Sequence, residues 1–261
     1  MRALAGLLMM VIAMTTHADG DAPVLELRQY QIFAGQRDAL IAVFESRLIE
    51  GQEQVGMRLL GQFRDLDDPD RFTWMREFPN MEQRGKALQA FYTGPVWKAH
   101  RGAANPLLED NDNVLLLRPA TAGLRLQSPA ATTRVKFDAT PPAAGLVVVT
   151  IYYLWKDPAE GFTGFFVDQL QPALASAGLP VLGAYVSEPT PNNFPKLPVR
   201  QHEKVFVWLT RVADEPAYER ARQALASRLA SAELLGHQLS RFQERQAQTL
   251  RLAPTPRSTL R

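Results

Sequence analysis

The chain repeats itself, and that repetition constrains its fold more than any other feature. Gly56-Met57-Arg58-Leu59-Leu60-Gly61-Gln62-Phe63 is echoed by Gly178-Leu179-Pro180-Val181-Leu182-Gly183-Ala184-Tyr185, an offset of 122 (56 to 178). At the same offset Tyr30 matches Tyr152, Phe44 matches Phe166 and Leu48 matches Leu170. Further on, Phe72-Thr73-Trp74-Met75 matches Phe206-Val207-Trp208-Leu209 at an offset of 134 (72 to 206), so the second copy carries twelve more residues in between. The extra residues fall at Pro189-Thr190-Pro191-Asn192-Asn193-Phe194-Pro195. Prolines there cannot donate to a ladder and the Asn pair favours turns, which predicts a longer hairpin loop in copy two. A duplicated segment of this size must solve the same burial problem twice, so both copies should share one element order.

That order reads strand, helix, strand, strand, helix, strand. Strand one spans Val24 to Phe33 in copy one and Leu146 to Trp155 in copy two. Helix one covers about Gln36 to Glu50, with Leu40, Phe44 and Leu48 four apart on one face, and about Pro158 to Ala177 in copy two. Strands two and three follow at Met57 to Arg64 and Phe72 to Phe78, and again at Val181 to Val186 and Val205 to Val212. Asn80 and Asp214 are N-cap candidates for the second helices, because their short side-chain acceptors suit an unpaired helix N-terminus. Closing strands run Val114 to Arg118 and Thr249 to Leu252, each stopped by a proline.

A βαββαβ order is the ferredoxin-like pattern, whose sheet carries helices on one face only. The expected fold is therefore α+β: two tandem ferredoxin-like βαββαβ repeats packed sheet to sheet as a pseudo-dimeric α/β barrel. The expected boundaries are a signal peptide at 1–18, a first domain at 19–119, a linker at 120–144 and a second domain at 145–261. The linker carries Pro119, Gly123, Pro129, Pro141 and Pro142 among Ala, Thr and Ser with no sustained period. Strand alternation predicts that Leu25, Leu27, Val147, Val149 and Ile151 face the helices. Glu26, Arg28 and Tyr30, with Val148, Thr150 and Tyr152, would then line the space between the sheets. Two meanings stay open for that inward set, ion pairing and core filling on one hand and ligand lining on the other.

The N-terminus opens on Arg2, continues as an apolar stretch from Ala3 to Met14 and closes on Thr16-His17-Ala18, the pattern of a cleaved export signal with the cut before Asp19. The stretch is short of the roughly 20 residues a spanning helix needs, so a periplasmic or secreted protein without stable membrane insertion is expected. Loss of Arg2 leaves 28 basic against 27 acidic residues, a balance that offers nucleic acid no electrostatic footprint. The chain has no cysteine, which removes disulfides, thiolate metal sites and thiol nucleophiles together.

No P-loop, Gly-x-Gly-x-x-Gly, His-Glu-x-x-His or Gly-x-Ser-x-Gly pattern occurs. His100, His202 and His237 are too dispersed for a three-ligand zinc site. Trp97, Lys98, His100, Arg101 and Asn105 concentrate aromatic, basic and amide groups, a set able to hold an anionic or aromatic ligand, or else simply a tryptophan-anchored loop with solvated neighbours.

Glu26-Leu27-Arg28-Gln29-Tyr30, Trp74 in strand three, Glu82-Gln83-Arg84 and Gly94-Pro95-Val96-Trp97-Lys98, continuing through Ala99-His100-Arg101 to Asn105-Pro106, resemble the NIPSNAP family. That resemblance implies the dimeric α/β barrel superfamily, which includes cofactor-free monooxygenases and haem-handling enzymes, though a shared fold does not transfer chemistry. In copy two Val148 and Thr150 replace Glu26 and Arg28, so the copies are not equivalent. The reading is an exported NIPSNAP-like binding protein that holds a small hydrophobic or aromatic molecule in its barrel, with no cofactor and no metal. The alternative is an oxygen-dependent monooxygenase or haem-handling enzyme. Candidate ligand-binding residues are Glu26, Arg28, Tyr30, Trp74, Arg76, Trp97, His100, Arg101, Asn105 and Tyr152; catalytic residues stay unassigned, and the chain is either a monomeric pseudo-dimer or a homo-oligomer.

Overall fold

The computed structural model describes residues 22–127, 134–141, 144–231 and 233–261. The expected leader at 1–18 lies outside the described residues. In the first half, β1 (Val24–Ile32) is followed by a helix in three segments: α1 (Arg37–Val43), a π-helical turn (Phe44–Leu48) and α2 (Ile49–Glu53). Then come β2 (Arg58–Asp65), β3 (Arg71–Phe78), α3 (Met81–Thr93), α4 (Pro95–Ala104), the short β4 (Leu108–Asp110) and β5 (Val114–Pro119). The second half runs β6 (Leu146–Leu154), α5 (Phe162–Phe165), a π turn (Phe166–Leu170), α6 (Gln171–Ser176), β7 (Gly183–Ser187), β8 (Val205–Val212), α7 (Glu215–Ser231), α8 (Glu233–Phe242) and β9 (Gln243–Pro254). Each half carries one π turn, beginning at Phe44 in the first and at Phe166 in the second, an uncommon backbone detail. Both N-cap expectations hold, with Asn80 Oδ1 accepting from Gln83 N at 2.9 Å and Asp214 Oδ1 from Ala217 N at 2.7 Å.

The strands close into a mixed α/β fold around an antiparallel barrel. Pairings run β3-β2-β9-β6-β8-β7-β5-β1, and a β1–β3 pairing joins the two ends into a ring, with β4 adding to the end of β1. The halves meet at two seams, β2 with β9 and β5 with β7. Closure gives every strand of the ring a partner on both sides, although each seam pairs only three residues.

The structure inverts the expected facing of the strands. Leu25, Leu27, Val147, Val149 and Ile151 fill the barrel interior together with Phe63, Met75, Leu115, Val207 and Leu250, one core built from both halves. Glu26, Arg28 and Tyr30 point outward beneath the helices of the first half, where Tyr30 packs with Leu40, Phe44, Leu48 and Trp74. Tyr152 likewise lies under the second half's helices with Phe162, Phe166 and Trp208. Both faces of these strands are buried, so hydropathy alternation carries no sign to tell them apart. Chemistry decides instead: the narrow interior of an eight-stranded barrel is filled by side chains, whereas the helical layer can supply polar partners to a buried charge.

The inserted segment of the second half also departs from a plain hairpin loop. Lying between β7 and β8, it crosses to the first half, where Phe194 and Leu197 join the core beneath α3 and α4. The connector is tied down where it is described. Arg125 pairs with Glu77 at 2.6 Å, Leu126 N donates to Tyr185 Oη at 2.9 Å, and Arg134 pairs with Glu53 at 2.7 Å. After β9 the C-terminal tail returns to the first half, with Thr255 Oγ1 donating to Glu45 Oε1 at 2.6 Å and Leu260 N to Leu60 O at 2.9 Å.

Candidate binding site

Antiparallel pairing of β1 with β3 sets Glu26 opposite Arg76 and Arg28 opposite Trp74. Because side chains alternate at period two, all four stand on the same outer face. Glu26, Arg28, Arg76 and Arg84 have no exposed side-chain surface. One carboxylate holds three guanidiniums. Glu26 Oε2 accepts from Arg28 Nη1 at 2.7 Å and from Arg76 Nε at 2.8 Å, and Glu26 Oε1 accepts from Arg84 Nε at 2.7 Å. Arg28 Nε donates to Tyr30 Oη at 2.8 Å, and Arg76 Nη1 donates to Gln52 Oε1 at 2.9 Å. Arg84 Nη1 reaches the inserted segment, donating to Asn192 Oδ1 at 3.0 Å and Asn193 Oδ1 at 2.7 Å. The Arg28 and Arg76 guanidiniums also lie 5.4 and 5.0 Å from the Trp74 ring, within reach of its negative face.

Electrostatics follow from this packing. Burial raises the Glu26 carboxyl, but the three guanidiniums outweigh it and hold the group well below the usual carboxylate range. Burial pushes the Tyr30 hydroxyl up to about 12, against the opposing pull of Arg28. Tyr30 is thus a neutral phenol that accepts from Arg28 and keeps its own proton to donate. Burial, countered by Glu26 and reinforced by Arg76 and Arg28, lowers Arg84.

Above this hub lies a cavity of about 500 Å³ between the sheet and the helices, walled by Tyr30, Phe44, Gln52, Trp74, Tyr92 and Trp97, with Asn105 and Phe194 also lining it. Its aromatic rings brace one another: Tyr30 meets Trp74 edge-on at 5.7 Å, Tyr92 meets Trp97 at 5.0 Å, and Phe194 stacks on Tyr92 at 5.8 Å. The volume is that of a small organic ligand site.

The structure thus gathers Tyr30, Trp74, Trp97 and Asn105 at the cavity and places Glu26, Arg28 and Arg76 directly behind its floor. His100 and Arg101, on α4 between Trp97 and Ala104, do not line it. Tyr152 is buried in the second half, where Phe162 meets it at 5.5 Å. Sequence reasoning missed Gln52, Tyr92 and Phe194 as site residues, and it named Arg84 only within a stretch that carries the family resemblance. Gln52 and Tyr92 sit on helices at positions without motif character, and Phe194 comes from the second half of the chain. The insertion itself was the available signal for Phe194, because an extra loop in one copy of a repeat has to lie against something.

The second half keeps the frame and loses the charges. By the repeat offsets, Val148, Thr150, Leu174, Thr210 and Tyr218 stand where Glu26, Arg28, Gln52, Arg76 and Arg84 stand in the first. A groove of about 520 Å³ there is bounded by Trp155, Phe162, Phe165 and Phe242, and none of those counterparts lines it. Among the described residues no group of three or more His, Asp or Glu could hold a metal ion, and no helix is long and apolar enough to cross a membrane.

An antiparallel α/β barrel with a pocket between one half's strands and helices is the class that these features define. Within it, residues 25–121 match the NIPSNAP family model. Among solved structures, a provisionally named monooxygenase from Fusobacterium nucleatum is 9% identical, with a TM-score of 0.56 over 89% of this chain and 92% of its own. Another from Lactobacillus acidophilus is 13% identical, with a TM-score of 0.52 over 89% of this chain and 94% of its own. A NIPSNAP family protein of unknown function from Agrobacterium tumefaciens is 21% identical, with a TM-score of 0.36 over 38% of this chain and 89% of its own. For the two structures aligned over most of the chain the likeness is one of fold. Comparison with curated proteins found no match.

Proposed function

We propose that the chain is a small-molecule-binding protein built from two tandem ferredoxin-like copies, and that its ligand site is the aromatic cavity of the first copy. The observation that carries this reading is the cavity of about 500 Å³, braced by Tyr30, Trp74, Tyr92 and Trp97 and roofed by Phe194 from the other copy. The barrel interior, where sequence reasoning had put the ligand, is packed with aliphatic and aromatic side chains. The leader-like N-terminus supports a periplasmic or secreted location. Oxygen-dependent chemistry remains the rival reading, supported by the names of the two barrel structures aligned over most of the chain.

The test is to purify the protein from its native host and identify co-purifying small molecules by mass spectrometry, beside an Asn105→Trp variant that plugs the cavity wall. A stoichiometric apolar or aromatic compound present in the wild type and lost from the variant is the expected result. A compound retained in full by the plugged variant overturns the assignment of the site.

A further inference from the structure

The hub beneath the cavity carries more positive charge than its own residues neutralise. Three guanidiniums face one carboxylate, leaving an excess of two positive charges in a cluster with no exposed side-chain surface. Burial of that kind is unfavourable unless something pairs the charge. No second carboxylate contacts these arginines among the described residues: Arg28 and Arg76 spend their remaining bonds on Tyr30 and Gln52, and Arg84 on Asn192 and Asn193. One terminal nitrogen of each arginine, Nη2 of Arg28, Arg76 and Arg84, is buried with no acceptor, and so is Trp74 Nε1. Native proteins leave few buried donors unpaired, so four in one cluster call for an explanation.

The cavity supplies one. Tyr30, Gln52 and Trp74 belong to both structures at once, lining the cavity and touching the arginines. Tyr30 lines that space while Arg28 donates to its hydroxyl oxygen, and burial keeps the hydroxyl protonated. Helical and strand segments from the first copy and the Asn192-Asn193 turn from the second all converge on one charged floor.

We infer that the ligand of this site is an organic anion: an apolar or aromatic body lying among Phe44, Tyr92, Trp97 and Phe194, with a carboxylate or sulfonate head turned toward Tyr30, Gln52 and Trp74 and the arginine hub directly behind them. This rests on the cavity being the ligand site and adds the chemical class of what it takes. The second copy, with Val148, Thr150 and Thr210 in place of the charged residues, has no such floor and takes no such ligand.

Two fluorescent dyes of the same skeleton test it, 8-anilinonaphthalene-1-sulfonate and the neutral N-phenyl-1-naphthylamine, titrated into the full chain, Arg28→Met, Arg28→Lys and Asn105→Trp. The expected result is one site per chain binding the sulfonate on the order of tenfold or more tighter than the neutral dye. Arg28→Met should erase most of that preference while keeping the neutral dye's affinity, Arg28→Lys should restore part of it, and 1-naphthoate should displace the sulfonate. Equal binding of both dyes to the wild type, blocked by Asn105→Trp, overturns the anion inference and leaves the cavity reading intact. Binding of neither dye, or binding that ignores Asn105→Trp, overturns both. The wild-type comparison decides the matter even where a variant fails to fold.

Discussion

The Arg84 guanidinium donates to Asn193 Oδ1 across 2.7 Å, joining α3 of the first half to the loop between β7 and β8 of the second. Asn193 in turn donates from Nδ2 to the carbonyl of Met81, in the first turn of the same helix. Two polar links and the Phe194 ring thus hold a roof over the cavity. Replacing Asn193 by Ala should cost about 1–3 kcal/mol through the unpaired groups it leaves. It should also speed dissociation of any bound dye more than it slows association, because the roof governs escape. Chemical denaturation and stopped-flow dissociation check both, and an unchanged off-rate would show that the loop is not a roof.

Glu26 is shared by three arginines, so the members of the hub are not equivalent in cost. Glu26→Gln leaves three buried guanidiniums without a counterion and should destabilise by roughly 3–5 kcal/mol. Arg28→Met removes surplus charge while Arg76 and Arg84 keep Glu26 paired, and should cost less than about 2 kcal/mol. Combining the two should not restore stability, because Arg76 and Arg84 remain without a carboxylate. Urea unfolding of the three variants gives the order, and a double mutant more stable than Glu26→Gln by most of its loss would mean that Arg28 is the dominant partner.

The pH dependence has two arms. Glu26 is held below its ordinary value of 4.5. Its contribution is therefore fully present above that pH and falls away as acid is added below it, as the folded carboxyl is forced to take a proton. At the other end, Tyr30 and Tyr152 are raised by burial from 10.0 to about 12. Their neutral form stabilises the fold below pH 10, and that support is lost as pH rises through 12. Thermal melts from pH 2.5 to 6 should flatten in Glu26→Gln, and melts from pH 9.5 to 12 should flatten in Tyr152→Phe.

Haem handling would need an axial ligand at the cavity, and none of the residues lining it is a histidine. Adding haemin should give no stoichiometric Soret shift. A sharp shift abolished by His100→Ala would instead favour the haem-handling alternative and place its site outside this cavity.

Export makes a separate, simple prediction. Protein recovered from the medium or periplasm of a bacterial host should begin at or near Asp19 on N-terminal sequencing, whereas a start at Met1 with membrane retention would refute the leader.

What the amino-acid order determined by itself was the repeat, its elements and their sequence: Phe44 and Phe166, Asn80 and Asp214, Trp74 and Trp208 stand at matching places because local periodicity and capping are written in neighbouring residues. The opening Glu26, Arg28 and Tyr30 were also legible as a set in need of partners, since charged residues in an otherwise apolar strand must be paired. Only the tertiary structure decided which way that set faces. Both sides of β1 are buried, and period-two alternation distinguishes two faces without naming either. It also decided what the partners are. Arg76 lies opposite Glu26 through strand register, Arg84 arrives on α3 from 58 positions away, and Asn193 comes from the other copy, 109 positions from Arg84. Contacts so distant along the chain leave no local trace in sequence, because they are selected by closure of the barrel, which brings β5 beside β7 and β2 beside β9 and so carries the second copy's loop over the first copy's floor.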